Sequence, residues 1–491
     1  AKPHPEGKGA AAAMGAALAD AGLSFQQIDY VNLHGTGTPD NDLAEVRALK
    51  HLAAGASLPP LSSIKGAVGH PLAAAGAMEA VIAALTVNHQ QLPPNTGCSD
   101  PDPALGIQLD GGPRSGPIAR VLSNSFGFGG NNAALVIGRA QTAPPDPLPE
   151  TRPFSIRGYG ALSGRGRTKT TLTALMAGRR VGGCADPAEI DSGLAPGLIR
   201  RLKRLPRMAL ALTAACGCGP EEKPPKAIYF GTGWGALSET HDFLARLFET
   251  AERFPSPMDF IGSVHNAAAG QLALWTGAEG ENLTTTCPYA AFEQALFSAQ
   301  LLQQENGQVL LLGADEAHPH LSPKLDPDAA AGAPLADGGG ALRLDPQPSP
   351  EAPTLQLLGL DHTASASTDK NDAQALLARL ESVVPLADVS RRYGLVLAGL
   401  PASCRALAEA QLTAWRTATG YSGPVIDYRR QTGDFATASA LATVWAAALK
   451  DPQNIDARAT ACPPDEGILI LNLGSVVSAI EVGSASSMGD A

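Results

Sequence analysis

The residues with the clearest chemical potential in this sequence are two histidines and a lysine, each placed after an apolar run. His34 opens the segment HGTGTPDND, Lys65 lies in SSIKGAVGH, and His70 ends that second segment. In α/β folds, groups at the carboxyl ends of strands are the ones that contact ligands. Imidazole N–H groups can stabilise an enolate or oxyanion, and an ammonium group sets the local field. Any one of these residues alone is more often structural, but together they predict a site that acts on a thioester.

Three segments resemble the C-terminal half of a β-ketoacyl-acyl-carrier-protein synthase, a condensing enzyme of the thiolase fold. The segments are HGTGTPDND, SIKGAVGH and SNSFGFGGNNAALV, and the resemblance extends over roughly residues 1–140. It implies that His34 and His70 assist malonyl decarboxylation and stabilise the enolate. It also implies that Lys65 fixes the electrostatics around His70.

The same resemblance implies roles for the turns that flank the histidines. Thr36 and Thr38 resemble the hydroxyls that hold a phosphopantetheine arm. Phe128 resembles the gate beside the nucleophile, and Gly127 and Gly129 on either side of it allow unusual backbone angles and mobility. Phosphopantetheine belongs to the carrier protein, so no cofactor is implied on this chain.

The family requires a cysteine nucleophile from its N-terminal half, at the end of a strand and the start of a helix that lowers its pKa. No such half precedes Ala1 in this sequence. Cys98, in LPPNTGCSDPDP, has no sign of activation. We therefore expect an N-terminally truncated chain, or a cysteine supplied from elsewhere.

An internal repeat links the two ends of the chain at an offset of 364 residues. The helical segment Leu43–Glu45 recurs as Leu407–Glu409, and a strand before it and an Ala-rich helix after it keep the same phase. The alignment pairs Ala398 with His34, Arg429 with Lys65, and Asp434 with His70. A carboxylate beside a forming enolate opposes its charge, so the second copy is predicted to have lost the chemistry and kept the core.

Residues 154–345 resemble the N-terminal half of the same family, in the form found in chain-length-factor proteins that pair with an active synthase. In the family register of GENLTTTCPYAAFEQAL, Tyr289 takes the nucleophile position and Cys287 lies two residues early. Pro288 removes a backbone N–H that would otherwise help to open the helix. We therefore expect Cys287 to be inactive.

Strand-like runs alternate with Ala- and Leu-rich helical patterns, which predicts an α/β fold. The resemblance refines this to the α-β-α-β-α layers of a thiolase-like fold, with one C-terminal half-domain and one complete degenerate unit. The predicted divisions are 1–140 for the first C-terminal half, 141–153 for a Pro-rich linker, 154–345 for the N-terminal half, and 346–491 for the degenerate C-terminal half.

Composition excludes several other classes of protein. The formal net charge of −11 argues against a nucleic-acid-binding protein, because such proteins usually carry excess positive charge. The longest apolar runs predict no membrane span. Seven scattered cysteines without a CxxC pair predict no metal site and favour a reducing cytoplasm.

The sequence thus predicts a 3-oxoacyl-[acyl-carrier-protein] synthase fused to an inactive chain-length-factor-like partner. It would extend carrier-bound acyl chains by decarboxylative Claisen condensation in fatty acid or polyketide/polyene biosynthesis. Acyl carrier protein is the expected partner, together with an internal pseudo-dimer or a dimer with another ketosynthase. An elongating synthase with an unrelated tail is disfavoured by the repeat, and a non-catalytic acyl- or carrier-binding scaffold is the alternative of a different class.

Overall fold

The computed structural model describes residues 3–98, 100–109, 114–139, 151–303, 307–332, 334–361, 373–384, 386–452, 454 and 466–484. The chain divides into two compact units, unit 1 (Ala1–Leu148) and unit 2 (Pro149–Ala491). The division falls within the predicted linker, most of which lies outside the described residues.

Unit 1 is a small mixed sheet with helices on both faces. Its helices are α1 (Lys8–Asp20), α2 (Pro39–Ala53), α3 (Lys65–Val68) and α4 (Ala75–His89). Its strands are β1 (Tyr30–Asn32), β2 (Leu61–Ser62), β3 (Gln91–Leu92), β4 (Arg114–Ser115), β5 (Arg120–Phe126) and β6 (Asn132–Gly138). The main sheet has the order β2-β1-β5-β6, in which β5 and β6 are antiparallel and the other pairs are parallel.

Side chains alternate across β1, as the two-residue period of a strand requires. Val31 and Leu33 join the core beneath α1 and α2. Tyr30 joins the core beneath α4, with Ala83 and Val87. The alternation places Asn32 and His34 on the α4 side of the sheet.

Unit 2 contains eleven strands and fifteen helices among its described residues. The strands are β7 (Phe154–Ser163), β8 (Gly166–Arg167), β9 (Ala227–Thr232), β10 (Asn282–Thr286), β11 (Val309–Asp315), β12 (Gly338–Asp345), β13 (Thr354–Asp361), β14 (Tyr393–Gly399), β15 (Val425–Asp427), β16 (Gly467–Asn472) and β17 (Val477–Gly483). The helices are α5 (Thr168–Met176), α6 (Pro187–Asp191), α7 (Pro196–Ile199), α8 (Arg204–Ala215), α9 (Leu237–Glu249), α10 (Pro257–Ser263), α11 (Ala267–Thr276), α12 (Ala291–Leu302), α13 (Ser322–Leu325), α14 (Pro327–Gly332), α15 (Ala373–Glu381), α16 (Val389–Arg392), α17 (Arg405–Thr419), α18 (Tyr428–Thr432) and α19 (Ala438–Lys450).

Three apolar cores define five layers in unit 2. The strands run β10-β9-β11-β12-β7 and continue as β13-β17-β16-β14-β15. The central core contains α12 and α19 and draws side chains from both halves of this strand order. One outer core lies beneath α8 and α11, and the other lies beneath α15 and α17. The α-β-α-β-α layering of a thiolase-like fold is therefore confirmed.

The two C-terminal halves share one topology. In unit 1 the order is β2-β1-β5-β6, and in unit 2 the corresponding order is β15-β14-β16-β17 with the same pattern of parallel and antiparallel pairs. Helices α2, α3 and α4 correspond to α17, α18 and α19 at offsets close to 364 residues. The three-dimensional structure therefore contains the repeat that the sequence predicts.

One segment differs from the expectation that no membrane span is present. Leu72–His89 has a mean hydropathy of 1.3 over 18 residues, so its length and composition meet the criterion for a span. Only 28% of this segment is buried in unit 1. Its counterpart α19 is a core helix, which provides a reason within the protein for its apolar composition.

Glycines in β11 and β12 let α19 approach the sheet closely. A Cβ atom added at Gly340 would lie 2.3 Å from the carbonyl oxygen of Ala440. We predict that Gly340→Ala lowers the free energy of unfolding of unit 2 by about 1–3 kcal/mol, because the backbone contact leaves no room for the methyl group. All four tryptophans lie in unit 2, so chemical denaturation followed by tryptophan fluorescence measures the change. Gly197→Ala, where the added Cβ meets nothing within 4 Å, should be nearly neutral.

Candidate active site

The turn that carries His34 is anchored by a buried carboxylate. Glu45, on α2, accepts hydrogen bonds from the backbone N–H groups of His34 at 2.9 Å and Gly35 at 3.0 Å. Asn124 Nδ2, on β5, donates to the same carboxylate at 3.0 Å. Burial raises the pKa of Glu45, and these hydrogen bonds act in the opposite direction by stabilising its charged form. Glu45 therefore fixes the backbone from which the imidazole projects.

Lys65 lies at the start of α3, and its buried ammonium group makes several polar contacts. It forms an ion pair with Glu79 of α4. Its Nζ also donates to the backbone oxygen of His34 at 2.5 Å and lies 3.4 Å from His34 Nδ1. Glu79 additionally accepts from Ser125 Oγ at 3.3 Å. The lysine thus joins α3, α4 and the histidine turn.

The structure brings His34 and His70 together. Their ring centroids are 5.7 Å apart and the rings are nearly perpendicular, at 84°. His70 Nδ1 accepts from the backbone N–H of Leu72 at 3.1 Å, so its ring proton lies on Nε2. The ammonium of Lys65 faces His34 Nδ1, so that ring also carries its proton on Nε2.

Both imidazoles are held neutral. Burial, and then the charges of Lys65 and His70, lower the pKa of His34 to about 3. Partial burial and the charge of Lys65 also lower the pKa of His70. A neutral imidazole with Nδ1 engaged as an acceptor offers one Nε2–H donor. The pair can therefore supply two donors to an oxygen atom that gains negative charge.

A cavity of about 290 Å³ opens beside His70. Lys65, His70 and Thr36 are among its lining residues, and so is Cys98. Thr36 and Thr38 lie at the exposed turn, with their hydroxyl oxygens 2.8 Å apart. Cys98 is thus closer to the histidines in space than the sequence suggested, although it is exposed and lies outside the helices and strands of unit 1.

Phe128 lies in a short 3-10 turn between Gly127 and Gly129, and its side chain is exposed. Gly129 has a φ of 84°, a conformation that favours glycine. The aromatic ring in contact with His34 is instead that of Phe126, at a centroid distance of 5.6 Å. Phe126 was missed from the sequence because the resemblance drew attention to the glycine-flanked phenylalanine.

The degenerate copy brings together Tyr289, Arg429 and Asp434. Arg429 donates to Asp434 Oδ1 at 2.7 Å and lies over the Tyr289 ring at 4.8 Å. The Tyr289 hydroxyl donates to Asp326. Asp434 and His70 each follow a glycine of positive φ that ends a short helix, Gly433 and Gly69. This backbone match agrees with the predicted pairing of Asp434 with His70.

Strand register corrects the predicted pairing of Ala398 with His34. In unit 1 the backbone N–H of Val31 donates to the carbonyl oxygen of Pro60, and in unit 2 that of Val396 donates to the carbonyl oxygen of Pro424. Corresponding residues of the two copies are therefore 365 positions apart in β1 and β14, but 364 positions apart at the start of the neighbouring strand. On the α19 side, Leu395 and Leu397 join the central core, whereas Val396 joins the core under α17. Gly399 therefore occupies the position of His34, because a one-residue shift moves each side chain to the opposite face.

Tyr289 lies between β10 and α12 with a φ of 63°. A non-glycine residue in this left-handed conformation marks a strained strand-to-helix turn, like those that present nucleophiles. Cys287 lies before the turn, where burial and then the charge of Glu293 raise the pKa of its thiol. A raised pKa disfavours the reactive thiolate. Among the described residues, no group of three or more His, Cys, Asp or Glu side chains is placed to hold a metal ion.

Comparisons with known proteins define the class. Residues 1–99 match the family model for the β-ketoacyl synthase C-terminal domain, and residues 183–384 match that for the N-terminal domain. The chain is similar in fold to the PfaC keto synthase-chain length factor, with a TM-score of 0.70 and 16% identity over 98% of this chain and 60% of that one. It also resembles the ishigamide ketosynthase/chain length factor, with a TM-score of 0.53 and 19% identity over 68% of this chain and 99% of that one. The architecture is that of thiolase-fold ketosynthases.

The chain belongs to the β-ketoacyl synthase family, since the two family models together match more than half of it. The 3-oxoacyl-[acyl-carrier-protein] synthase 2 of Vibrio cholerae is 40% identical over 141 residues, 28% of this chain and 34% of that protein. The mitochondrial synthase of Arabidopsis thaliana is 42% identical over 142 residues, 28% of this chain and 30% of that protein. The chain thus spans about a third of the length of these relatives.

Replacement of the anchoring carboxylate tests how the histidine turn is held. In Glu45→Gln, the side-chain amide N–H group would face the backbone and Asn124 N–H groups that donate to the carboxylate in the native protein. We therefore expect the free energy of unfolding of unit 1 to fall by about 1–3 kcal/mol. Hydrogen exchange followed by mass spectrometry should show faster exchange at the backbone amides of His34 and Gly35. Glu6→Gln, on the surface, is the control. Unchanged exchange at the turn in Glu45→Gln would contradict the anchoring role.

Proposed function

We propose that unit 1 is the histidine half of a β-ketoacyl-acyl-carrier-protein synthase active site. The observation that carries the proposal is the pair of neutral imidazoles, His34 and His70, with both Nδ1 atoms facing donors. The Nε2–H groups are then available to an enolate or carbonyl oxygen. The relatives named 3-oxoacyl-[acyl-carrier-protein] synthase 2 support the reaction class.

The proposed reaction starts with malonyl-carrier protein. The bond between the malonyl Cα and its carboxylate breaks, carbon dioxide leaves, and the electron pair forms an enolate on the thioester. His34 and His70 donate their Nε2–H groups to the enolate oxygen, which stabilises its negative charge. The ammonium of Lys65, fixed by Glu79, adds favourable electrostatic potential from behind His34.

The enolate carbon then attacks the carbonyl carbon of an acyl thioester. A new carbon–carbon bond forms, the carbon–sulfur bond breaks, and a thiolate leaves, which gives a 3-oxoacyl chain on the carrier. The acyl group is held on a cysteine that unit 1 does not provide. Cys98 is not proposed for this role, because it is exposed and lies outside the described helices of unit 1, whose N-termini could stabilise a thiolate.

Unit 2 acts as an inactive partner of the chain-length-factor type. Its Arg429 is neutralised by Asp434, and Gly399 offers no side chain where His34 provides an imidazole. A cavity of about 40 Å³ is found beside Asp326 and Asp434. Unit 2 would instead shape the product tunnel of a synthase within an internal pseudo-dimer or a dimer with another ketosynthase.

Acyl carrier protein is the proposed partner, and a fatty acid or polyketide/polyene chain is the proposed product. One structural neighbour is a type II polyketide synthase ketosynthase in complex with its acyl-carrier protein, with a TM-score of 0.52 and 12% identity over 68% of this chain and all of that one. That complex supports the kind of partner proposed here, and the fold is shared.

The 491-residue chain alone is predicted to form no 3-oxoacyl product from malonyl- and acyl-carrier proteins. The reason is that Cys98, the only cysteine in unit 1, is exposed and lies outside its helices and strands. Mass spectrometry of the carrier-bound products measures the outcome. Product formation that is lost in His34→Ala would contradict this prediction, and loss in Cys98→Ser would identify Cys98 as the acceptor.

The next prediction concerns the active assembly, in which a cysteine-bearing N-terminal half is present. There, His34→Ala or His70→Ala should lower the rate of malonyl decarboxylation about 100- to 1,000-fold, because each substitution removes a hydrogen-bond donor to the oxyanion. Release of labelled carbon dioxide measures the rate. Asp434→Ala is the matched control in unit 2 and should change the rate little. Equal losses at both sites would contradict an inactive second copy, and no loss at either histidine would favour a non-catalytic scaffold.

Cys287 should not be acylated. Its thiol pKa is raised by burial and Glu293, and its helix entry contains Pro288. Mass spectrometry after incubation with an acyl thioester or an epoxide that traps ketosynthase cysteines should find it unmodified. Cys98 and Cys404 report nonspecific modification. Stoichiometric labelling of Cys287 without labelling of Cys98 and Cys404 would contradict this prediction and would show that unit 2 accepts acyl groups.

A further inference from the structure

Cys216 and Cys218 form a pair of thiols that the proposed ketosynthase chemistry does not use. Cys216 directly follows α8, and Gly217 separates it from Cys218. Gly217 has a φ of 81°, a left-handed conformation that favours glycine, and the chain turns there. The two thiols share a hydrogen bond. Both cysteines are free, so the turn holds a contacting dithiol and not a disulfide.

The dithiol lies just beneath the surface of unit 2. Cys216 is 1% exposed and Cys218 is 3% exposed, whereas Gly217 between them is exposed. The backbone of Cys216 packs on β7, where a Cβ atom added at Gly158 would clash with the Cys216 carbonyl oxygen. Because the residue that links the cysteines is at the surface, a small solute has a short path to them. Bulky reagents cannot contact the buried sulfur atoms directly.

A guanidinium group lies beside the dithiol. Arg343, on β12, donates from Nη2 to the backbone oxygen of Arg157 at 2.9 Å. A Cβ atom added at Gly217 would lie 3.6 Å from the Arg343 Cζ atom, so the guanidinium faces the turn between the cysteines. Among the described residues, the buried Nε of Arg343 has no hydrogen-bond partner. A cation with an unused donor favours a thiolate next to it.

The two thiols are not equivalent. Cys216 Sγ donates to the backbone oxygen of Thr213 at 3.2 Å, which favours the protonated form. The hydrogen bond with Cys218, together with burial, raises the pKa of Cys216. The hydrogen bond from Cys216 lowers the pKa of Cys218, and the charge of Arg343 acts in the same direction against the effect of burial. Cys218 is therefore the nucleophile of the pair, and Cys216 is the thiol that resolves the product.

We propose that Cys216 and Cys218 are a modification site, at which hydrogen peroxide oxidises the dithiol reversibly to an intramolecular disulfide. The Cys218 thiolate attacks one peroxide oxygen, the oxygen–oxygen bond breaks, and hydroxide leaves and takes up the proton that Cys218 released. The sulfur of Cys216 then attacks the sulfenic acid on Cys218. The sulfur–sulfur bond forms, the sulfur–oxygen bond breaks, and hydroxide leaves with the Cys216 proton as water. The two thiols lose two electrons and two protons, and the peroxide becomes two water molecules.

The charge beside the pair favours oxidation over metal binding. Two thiolates can ligate a soft metal ion. Here, however, a bound cation would lie next to the guanidinium of Arg343, and Coulomb repulsion would weaken its binding. The disulfide is neutral and meets no such repulsion. The inference is independent of the proposed function, because it uses no residue of unit 1.

Oxidation of the whole chain tests the proposal. The reduced 491-residue protein is treated with hydrogen peroxide, quenched with acid, unfolded, alkylated and digested with trypsin. Both cysteines lie in one tryptic peptide, residues 208–226. We expect this peptide to become about 2 Da lighter and to escape alkylation, since a disulfide has lost two hydrogen atoms. Dithiothreitol should restore both thiols.

Cys98 and Cys184 are the internal references, because both are exposed. The disulfide should form on the order of 10-fold faster than either reference thiol is oxidised. Formation no faster than the oxidation of Cys98, or disulfides that link two chains, would overturn the proposal. So would a pair that is blocked before peroxide is added and is released by a chelator, because that result would indicate a bound metal ion. This measurement uses the unaltered chain, so it does not depend on the folding of any variant.

Substitutions separate the roles of the two cysteines. In Cys216→Ser the resolving thiol is absent, so sulfenic acid should accumulate on Cys218 and be trapped by dimedone. Cys218→Ser should give trapping at Cys216 on the order of 10-fold lower. Arg343→Gln should slow disulfide formation several-fold, whereas Arg343→Lys should preserve the rate because it keeps the charge. Equal trapping at the two cysteines would contradict the assigned order of attack, and an unchanged rate in Arg343→Gln would contradict the role of the guanidinium.

Discussion

The buried ion pair between Lys65 and Glu79 is the interaction on which the histidine site depends. Both side chains are almost fully withdrawn from solvent, so removal of either partner would leave an uncompensated buried charge. The pair connects α3 to α4 and, through the backbone oxygen of His34, to the end of β1. It also holds a positive charge next to His34 Nδ1, which adds to the effect of burial in lowering the pKa of His34 and directs the ring proton to Nε2.

Comparison of the two copies shows why the location of the counter-ion matters. In unit 1 the carboxylate that pairs with Lys65 comes from α4, behind the site, and the position in front holds His70. In unit 2 the residue at the position of Glu79 is Thr443, and the carboxylate is instead Asp434, at the position of His70. Both arrangements place a carboxylate against the buried cation. Only the first leaves an imidazole donor facing the cavity.

Much of the fold and part of the site could be predicted from sequence. The motifs at His34, Lys65 and His70 follow strands or turns of a repeated topology, so their convergence could be expected. Glu45 and Glu79 were missed as site residues, although each is a carboxylate at a buried position of a helix. A helical pattern does not reveal which strand end a side chain meets, and only the tertiary structure shows that contact.

The pairing of Ala398 with His34 failed for a different reason. An ungapped offset cannot detect a one-residue shift between a strand and the following helix, yet such a shift reverses the face of every strand residue. The apolar character of α4 was likewise ambiguous, since a core helix without its covering sheet and a membrane span have similar compositions. The buried counterpart α19 resolves the ambiguity because it shows the same position in a complete unit.

The central claim is that His34 and His70 are neutral Nε2–H donors. Nitrogen-15 NMR correlation spectra of the histidine rings, recorded between about pH 5 and pH 8, test it directly because they distinguish both tautomers and the imidazolium form. The account predicts that His34 remains in the neutral Nε2–H form throughout this range, since its pKa of about 3 lies below it. It predicts the same form for His70 at pH 8. An imidazolium at His34 above pH 6, or an Nδ1–H tautomer at either ring, would contradict the account.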